Sequence, residues 1–147
     1  MSNDWVKDIE DMHKHYGVHQ WIMEKVKEDD KESLRKFIAF RLDFLQEELD
    51  ETRAALADRD PEEVVDGLID LCVIAIGTLD AFGCDAYGAW DEVLNANMAK
   101  QVGVKESRPN PLGLPDLIKP ADWKGPDHTG YEGFLDVALL EERSLKW

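Results

Sequence analysis

The sequence predicts an all-α protein, a four-helix bundle followed by a Pro/Gly-rich C-terminal tail, and three observations carry that prediction. Apolar residues recur at spacings of three and four over four stretches before residue 106. Helix-stopping and helix-starting residues fall between those stretches, at Gly17, Asp60-Pro61, Gly83-Asp85 and Gly103. From Ser107 the texture changes: RPNPLGLPDLIKPADWKGPDHTG holds all but one of the 6 prolines, which suits a loop or wrapping tail. Residues 1–106 are therefore read as a helical domain and 107–147 as an extended tail.

The first helix is expected over about Asp4 to Tyr16, with Trp5, Ile9, Met12 and Tyr16 on one face and Gly17 as its stop. A short apolar patch, Val18 to Val26, leads into the charged link Lys27 to Glu32. The second helix is expected from about Ser33 to Asp58, where Leu34, Ile38, Leu42, Leu45, Leu49 and Leu56 make a stripe of helical period. Pro61 then stands at the first-turn position it prefers and opens a third helix that runs to about Phe82. The fourth begins near Asp85, a suitable N-cap, and reaches about Gln101. A last short helix is expected within Tyr131 to Leu145.

Bulk composition narrows the function. The chain has 147 residues, 44% hydrophobic and 33% charged, which is one globular domain's worth. Its formal charge is -15 and its pI about 4.5, the wrong sign for direct binding to nucleic acid. No apolar run is long enough to span a membrane, and the acidic N-terminus lacks a signal peptide's apolar stretch. The expected location is the cytoplasm, the host's if the chain is viral. Cys72 and Cys84 fit neither a disulfide framework nor a CxxC metal site.

The chemistry is concentrated in two helices. In PEEVVDGLIDLCVIAIGTLDAF apolar side chains cover most of the circumference, and Asp66 and Asp70 lie one turn apart on the remaining strip. Carboxylates in so apolar a helix are costly unless paired or bound to a cation. The preceding helix supplies Glu47, Glu48 and Glu51, which share a side at spacings of three and four. A tight turn between Asp58 and Pro61 forces the two helices antiparallel, so Glu48 and Glu51 meet Asp66 and Asp70 at about one height. Oxygen-only donors of this kind favour Mg2+, or Mn2+, over zinc. On the fourth helix Val93, Asn97 and Lys100 share a face, and an amide with a lysine would suit a phosphate. Taken singly, each feature also has a bland reading: a solvated acidic face, a salt-bridged pair, an exposed lysine.

Together these residues resemble the MazG-like all-α nucleoside triphosphate pyrophosphohydrolases, a group that includes phosphoribosyl-ATP pyrophosphohydrolase. The family pattern is Glu-Glu-x-x-Glu on one helix and an acidic motif ending in Asp on the next. Here it reads Glu47-Glu48-x-x-Glu51, then Asp66-Gly67-x-x-Asp70-Leu71. VIAIGTLDAFG and Asn95-x-Asn97-Met98-x-Lys100 resemble the short phage forms in particular, and the likeness spans roughly Ser33 to Gly103. One position departs: Gly67 stands where the family carries a Glu, and Asp66 reaches the same side one residue earlier.

The resemblance implies cleavage of a nucleoside triphosphate to monophosphate and pyrophosphate by metal-activated water, and the phage-type features suggest nucleotide-pool adjustment, for which a purine deoxynucleotide such as dGTP is the preferred substrate. Glu48, Glu51, Asp66 and Asp70 would hold the metal. Glu47 or Glu48 would accept the water proton, and Asn97 and Lys100 would contact phosphate. Phe44, Trp21 and Trp90 are candidates for the base pocket. It also implies a homodimer or homotetramer, consistent with a third helix more apolar than one protomer covers. The rival reading is a non-catalytic acidic binding protein, either a nucleotide binder or a nucleic-acid mimic. A di-iron bundle is excluded because only Glu10-x-x-His13 has the required spacing, and a histidine-aspartate triphosphohydrolase because no histidine is followed directly by an aspartate.

Overall fold

The computed structural model describes residues 3–107, 110, 112–113 and 116–140. Six helices and one small two-stranded sheet occur among them: α1 (Trp5–Tyr16), α2 (Val18–Lys27), α3 (Lys31–Ala57), α4 (Pro61–Ala81), α5 (Ala86–Met98), β1 (Gln101–Gly103), β2 (Asp116–Ile118) and α6 (Leu135–Leu139). The all-α class is as expected. Two elements depart from the sequence reading. Val18 to Val26 is not a patch but part of helix α2, and the tail contributes an antiparallel β-pair, Gln101 opposite Ile118. The fourth helix ends at Met98, and any helix beyond Leu140 falls outside the described residues.

The chain divides into two units, 1–86 with 132–147 and 87–131. In the first unit, local signals place each helix. Asp4 caps α1 by accepting from the Lys7 amide at 3.0 Å, and Asp30 caps α3 through the Ser33 amide at 3.1 Å. Gly17, at φ 77°, closes α1 and opens α2 at once, so the chain turns sharply without a linker. Between α3 and α4, Arg59 takes the left-handed conformation and Asp60 accepts from the Glu63 amide at 3.2 Å. That short turn lays α4 antiparallel against α3.

The core of this unit is Ile22, Leu34, Ala81, Phe82 and Ala138, with Phe37, Ile38 and Phe134 packed on it. Burying each of the large members contributes about 1.5–3 kcal/mol. The chain's C-terminal part returns to complete it. The Phe134 amide donates to the Phe82 carbonyl at 2.7 Å, and Arg35 Nε donates to the Ala138 carbonyl at 2.7 Å. One side of α4 is left open to solvent at Val65, Leu68 and Ile69.

The second unit is built around α5. Trp123 Nε1 donates to the Ala96 carbonyl at 2.7 Å and Glu92 accepts from the Asp127 amide at 3.1 Å, tying the Pro/Gly-rich segment to that helix. No helix among the described residues is long and apolar enough to cross a membrane.

Candidate active site

The site starts from how closely α3 and α4 approach. Gly67 is buried, and a Cβ there would fall on the Thr52 hydroxyl. Thr52 is itself buried and donates to the Glu48 carbonyl at 2.7 Å, so its hydroxyl is fixed in that space. The residue just before this contact on each helix, Glu51 on α3 and Asp66 on α4, is an exposed acid. A Glu at position 67 would have no room between these helices.

One turn back along α3, Glu48 is half-buried. Its carboxyl is held above the ordinary range, first by desolvation and then by the negative charges of Glu51, Asp70, Glu47 and Asp66. Five carboxylates from two helices therefore share one field. Glu48 and Asp70 also line a cavity of about 220 Å³ with Phe44, Arg41, His13 and Met12. Arg41 reaches across from α3 to α4, where Nε donates to Thr78 Oγ1 at 3.1 Å and Nη2 to the Ile74 carbonyl at 2.9 Å. Burial pulls its pKa down from the usual value. Gly77 opens the space it needs, since a Cβ there would stand 2.5 Å from Arg41 Nη2 and 3.1 Å from the His13 ring.

A family model described as phosphoribosyl-ATP pyrophosphohydrolase matches residues 15–97, more than half of the chain and the whole of both acidic helices. The chain belongs to the phosphoribosyl-ATP pyrophosphohydrolase family. It is therefore a hydrolase acting on acid anhydrides, and its substrates are nucleotides. No curated protein and no solved structure matched the chain.

Within this family member the residues singled out from sequence do not all occupy like positions. Glu48, Asp70 and Phe44 meet at the cavity. Glu47 and Glu51 lie exposed on its flank. Asp66 is exposed too, and lines a shallow groove with Pro61, Glu62, Val65 and Ile69. Trp21 packs against Phe37, with ring centroids 5.6 Å apart, and Trp90 is exposed. Asn97 and Lys100 belong to the other unit. There Asn97 is exposed on α5, whereas Lys100 lies beyond the helix end with Nζ 5.5 Å from the Trp123 ring centroid. The expected common helix face of these two residues is thus broken by the end of α5 at Met98.

Arg41 was not singled out from the sequence, although 41, 44 and 48 share a helix face and that spacing is the signal that could have found it. A second group had no such signal. His13 of α1, His19 of α2 and Asp80 of α4 converge, with His13 Nδ1 2.8 Å and His19 Nε2 2.6 Å from the same Asp80 Oδ2. His13 is almost fully buried, and desolvation pulls its pKa below the ordinary histidine value despite the Asp80 carboxylate.

Proposed function

We propose that this chain hydrolyses a nucleoside triphosphate between its α and β phosphates, releasing monophosphate and pyrophosphate. The observation that carries the reading is Glu48, half-buried in a cavity with its carboxyl raised first by desolvation and then by four neighbouring carboxylates. A cluster of like charges of this kind suits a hard divalent cation, and its donors are all oxygens, the set that Mg2+ or Mn2+ prefers. The residues that would hold the metal are Glu48, Glu51, Asp70 and, from the flank, Asp66. When bound, the cation supplies neutralisation of triphosphate charge and activation of water.

The remaining roles fall to the chain's own groups. Of Glu47 and Glu48, it is Glu48 that lines the cavity, so it is assigned as acceptor of the attacking water's proton. Glu47 adds negative charge from the flank. Phe44 offers an apolar wall for a base. A purine deoxynucleotide such as dGTP is the proposed substrate. The family description favours a second reading, phosphoribosyl-ATP, which carries the same triphosphate bond.

A homodimer or homotetramer is part of the proposal, because Val65, Leu68 and Ile69 present an apolar face of α4 that a second copy would cover. Phosphorus NMR on the purified protein tests the reaction, with the eight common NTPs and dNTPs and phosphoribosyl-ATP, in Mg2+ and again in EDTA. Metal-dependent monophosphate and pyrophosphate are expected. Inorganic phosphate with nucleoside diphosphate would place the cut at the wrong bond, and no turnover would favour the acidic binding protein.

A further inference from the structure

We propose that His13, His19 and Asp80 form a binding site for a transition-metal ion of the zinc class, distinct in its ligands from the carboxylate cluster. Three helices converge to build it. Gly17 turns the chain between α1 and α2, so that the two histidines, six positions apart, point at one oxygen of the last full turn of α4. The two rings stand 6.1 Å apart at 82°, so their nitrogens approach Asp80 from different directions. One potential ligand atom from each of the three residues lies within 4.8 Å of the others.

The donor chemistry selects the ion. Two imidazoles and one carboxylate suit Zn2+, Co2+ or Fe2+, whereas Mg2+ prefers oxygen alone. Ligand bonds to zinc are about 2.0–2.2 Å, which puts neighbouring donor atoms of a tetrahedral site roughly 3.3 Å apart. The present N···O separations of 2.6 and 2.8 Å need to widen only slightly to admit an ion. His13 is fixed by its packing against Gly77, and Asp80 is only 11% exposed. His19, with 29% of its side chain exposed, is the member that can swing to let the ion enter. Three protein ligands leave a fourth position for water or a ligand atom. Bound there, the ion would clamp the α1–α2 elbow to the end of α4, beside the cavity that His13 also lines.

Zn2+ titration followed by calorimetry tests this, on the full chain with saturating Mg2+ to occupy the carboxylate cluster. A single Zn2+ per chain is expected, retained in an E51Q/D70N variant and weakened at least tenfold by H19N. Nitrogen-15 NMR of the imidazoles gives a readout independent of any variant. Zn2+ should move the His13 and His19 signals and leave those of His15 and His128. Absence of Zn2+ binding in Mg2+ overturns the proposal. So does binding that H19N leaves unchanged, that E51Q/D70N abolishes, or that moves His15 or His128 instead.

Discussion

Gly67 packs directly on Thr52, where the two acidic helices leave no space for a side chain at position 67. Adding a methyl group at position 67 collides with a hydroxyl already committed to the Glu48 carbonyl. Overpacking of this type costs about 1–3 kcal/mol. The better helix propensity of alanine offsets about 1 kcal/mol of that. Gly67→Ala is therefore expected to lower the melting temperature and to reduce turnover by moving Glu48 and Glu51 away from α4. Thr52→Ala removes the colliding oxygen, so the double variant should regain part of the loss. Calorimetry on the four-member cycle checks this, and strictly additive effects would count against the contact.

Asp70 and Asp66 are one turn apart but not equivalent. Asp70 lines the cavity with Glu48, whereas Asp66 opens onto the outer groove beside Glu62. Asp70→Asn should cut kcat by about 10²-fold or more, the scale expected for loss of a charge that acts on the transition state. Asp66→Asn should cost no more than about tenfold. Steady-state kinetics with Mg2+ decides it, and equal losses would mean that both aspartates reach the reacting phosphate.

The contrast between legible and illegible features follows from distance along the chain. The α3–α4 hairpin could be read because its turn, Asp58 to Asp60, is short and locally signalled. The heights of Glu48 and Asp70 then follow from helix geometry alone. Helix α2 escaped because Gly17 reads as a stop, while its φ of 77° serves as the end of one helix and the start of the next. The β1–β2 pair joins residues about fifteen apart across a proline-rich segment with no alternating pattern to announce it. His13 and Asp80 are 67 positions apart, and only tertiary packing makes them neighbours.

Glu48 makes the metal-free protein's stability depend on pH in a defined direction. Its folded-state pKa is raised, so between the ordinary glutamate value and that raised value the native state binds more protons than the unfolded chain. Stability therefore falls as pH rises through this window, and at neutral pH the ionised cluster works against the fold. Glu48→Gln should raise the melting temperature measured in EDTA at neutral pH and flatten the slope through the window. The same variant should lose most of the stabilisation that Mg2+ gives to the parent protein. Thermal scans at several pH values, with and without Mg2+, report both effects. A variant less stable than the parent in EDTA would show that Glu48 is a structural acid rather than a member of a strained site.

Arg41 is the cation that lines the cavity, and its surroundings separate a binding role from a structural one. Its Nε and Nη2 are held by Thr78 and the Ile74 carbonyl, but that carbonyl also accepts from Thr78 Oγ1 at 2.7 Å. Removing the guanidinium thus leaves the carbonyl paired, and the thermal penalty should be small. The charge has a different use. A guanidinium that lines the same cavity as Glu48 and Asp70 could pair with an incoming phosphate, where planar, charge-assisted bonds are strong. Arg41→Gln should accordingly raise KM for the nucleotide about tenfold, with kcat changed much less, the pattern of lost ground-state binding. Gly77→Ala, which drives a Cβ to 2.5 Å from Nη2, should reproduce the KM effect with Arg41 still present, because the fork is displaced rather than removed. If instead both variants lose stability with KM unchanged, Arg41 is a strut between α3 and α4, and the phosphate is held by other groups.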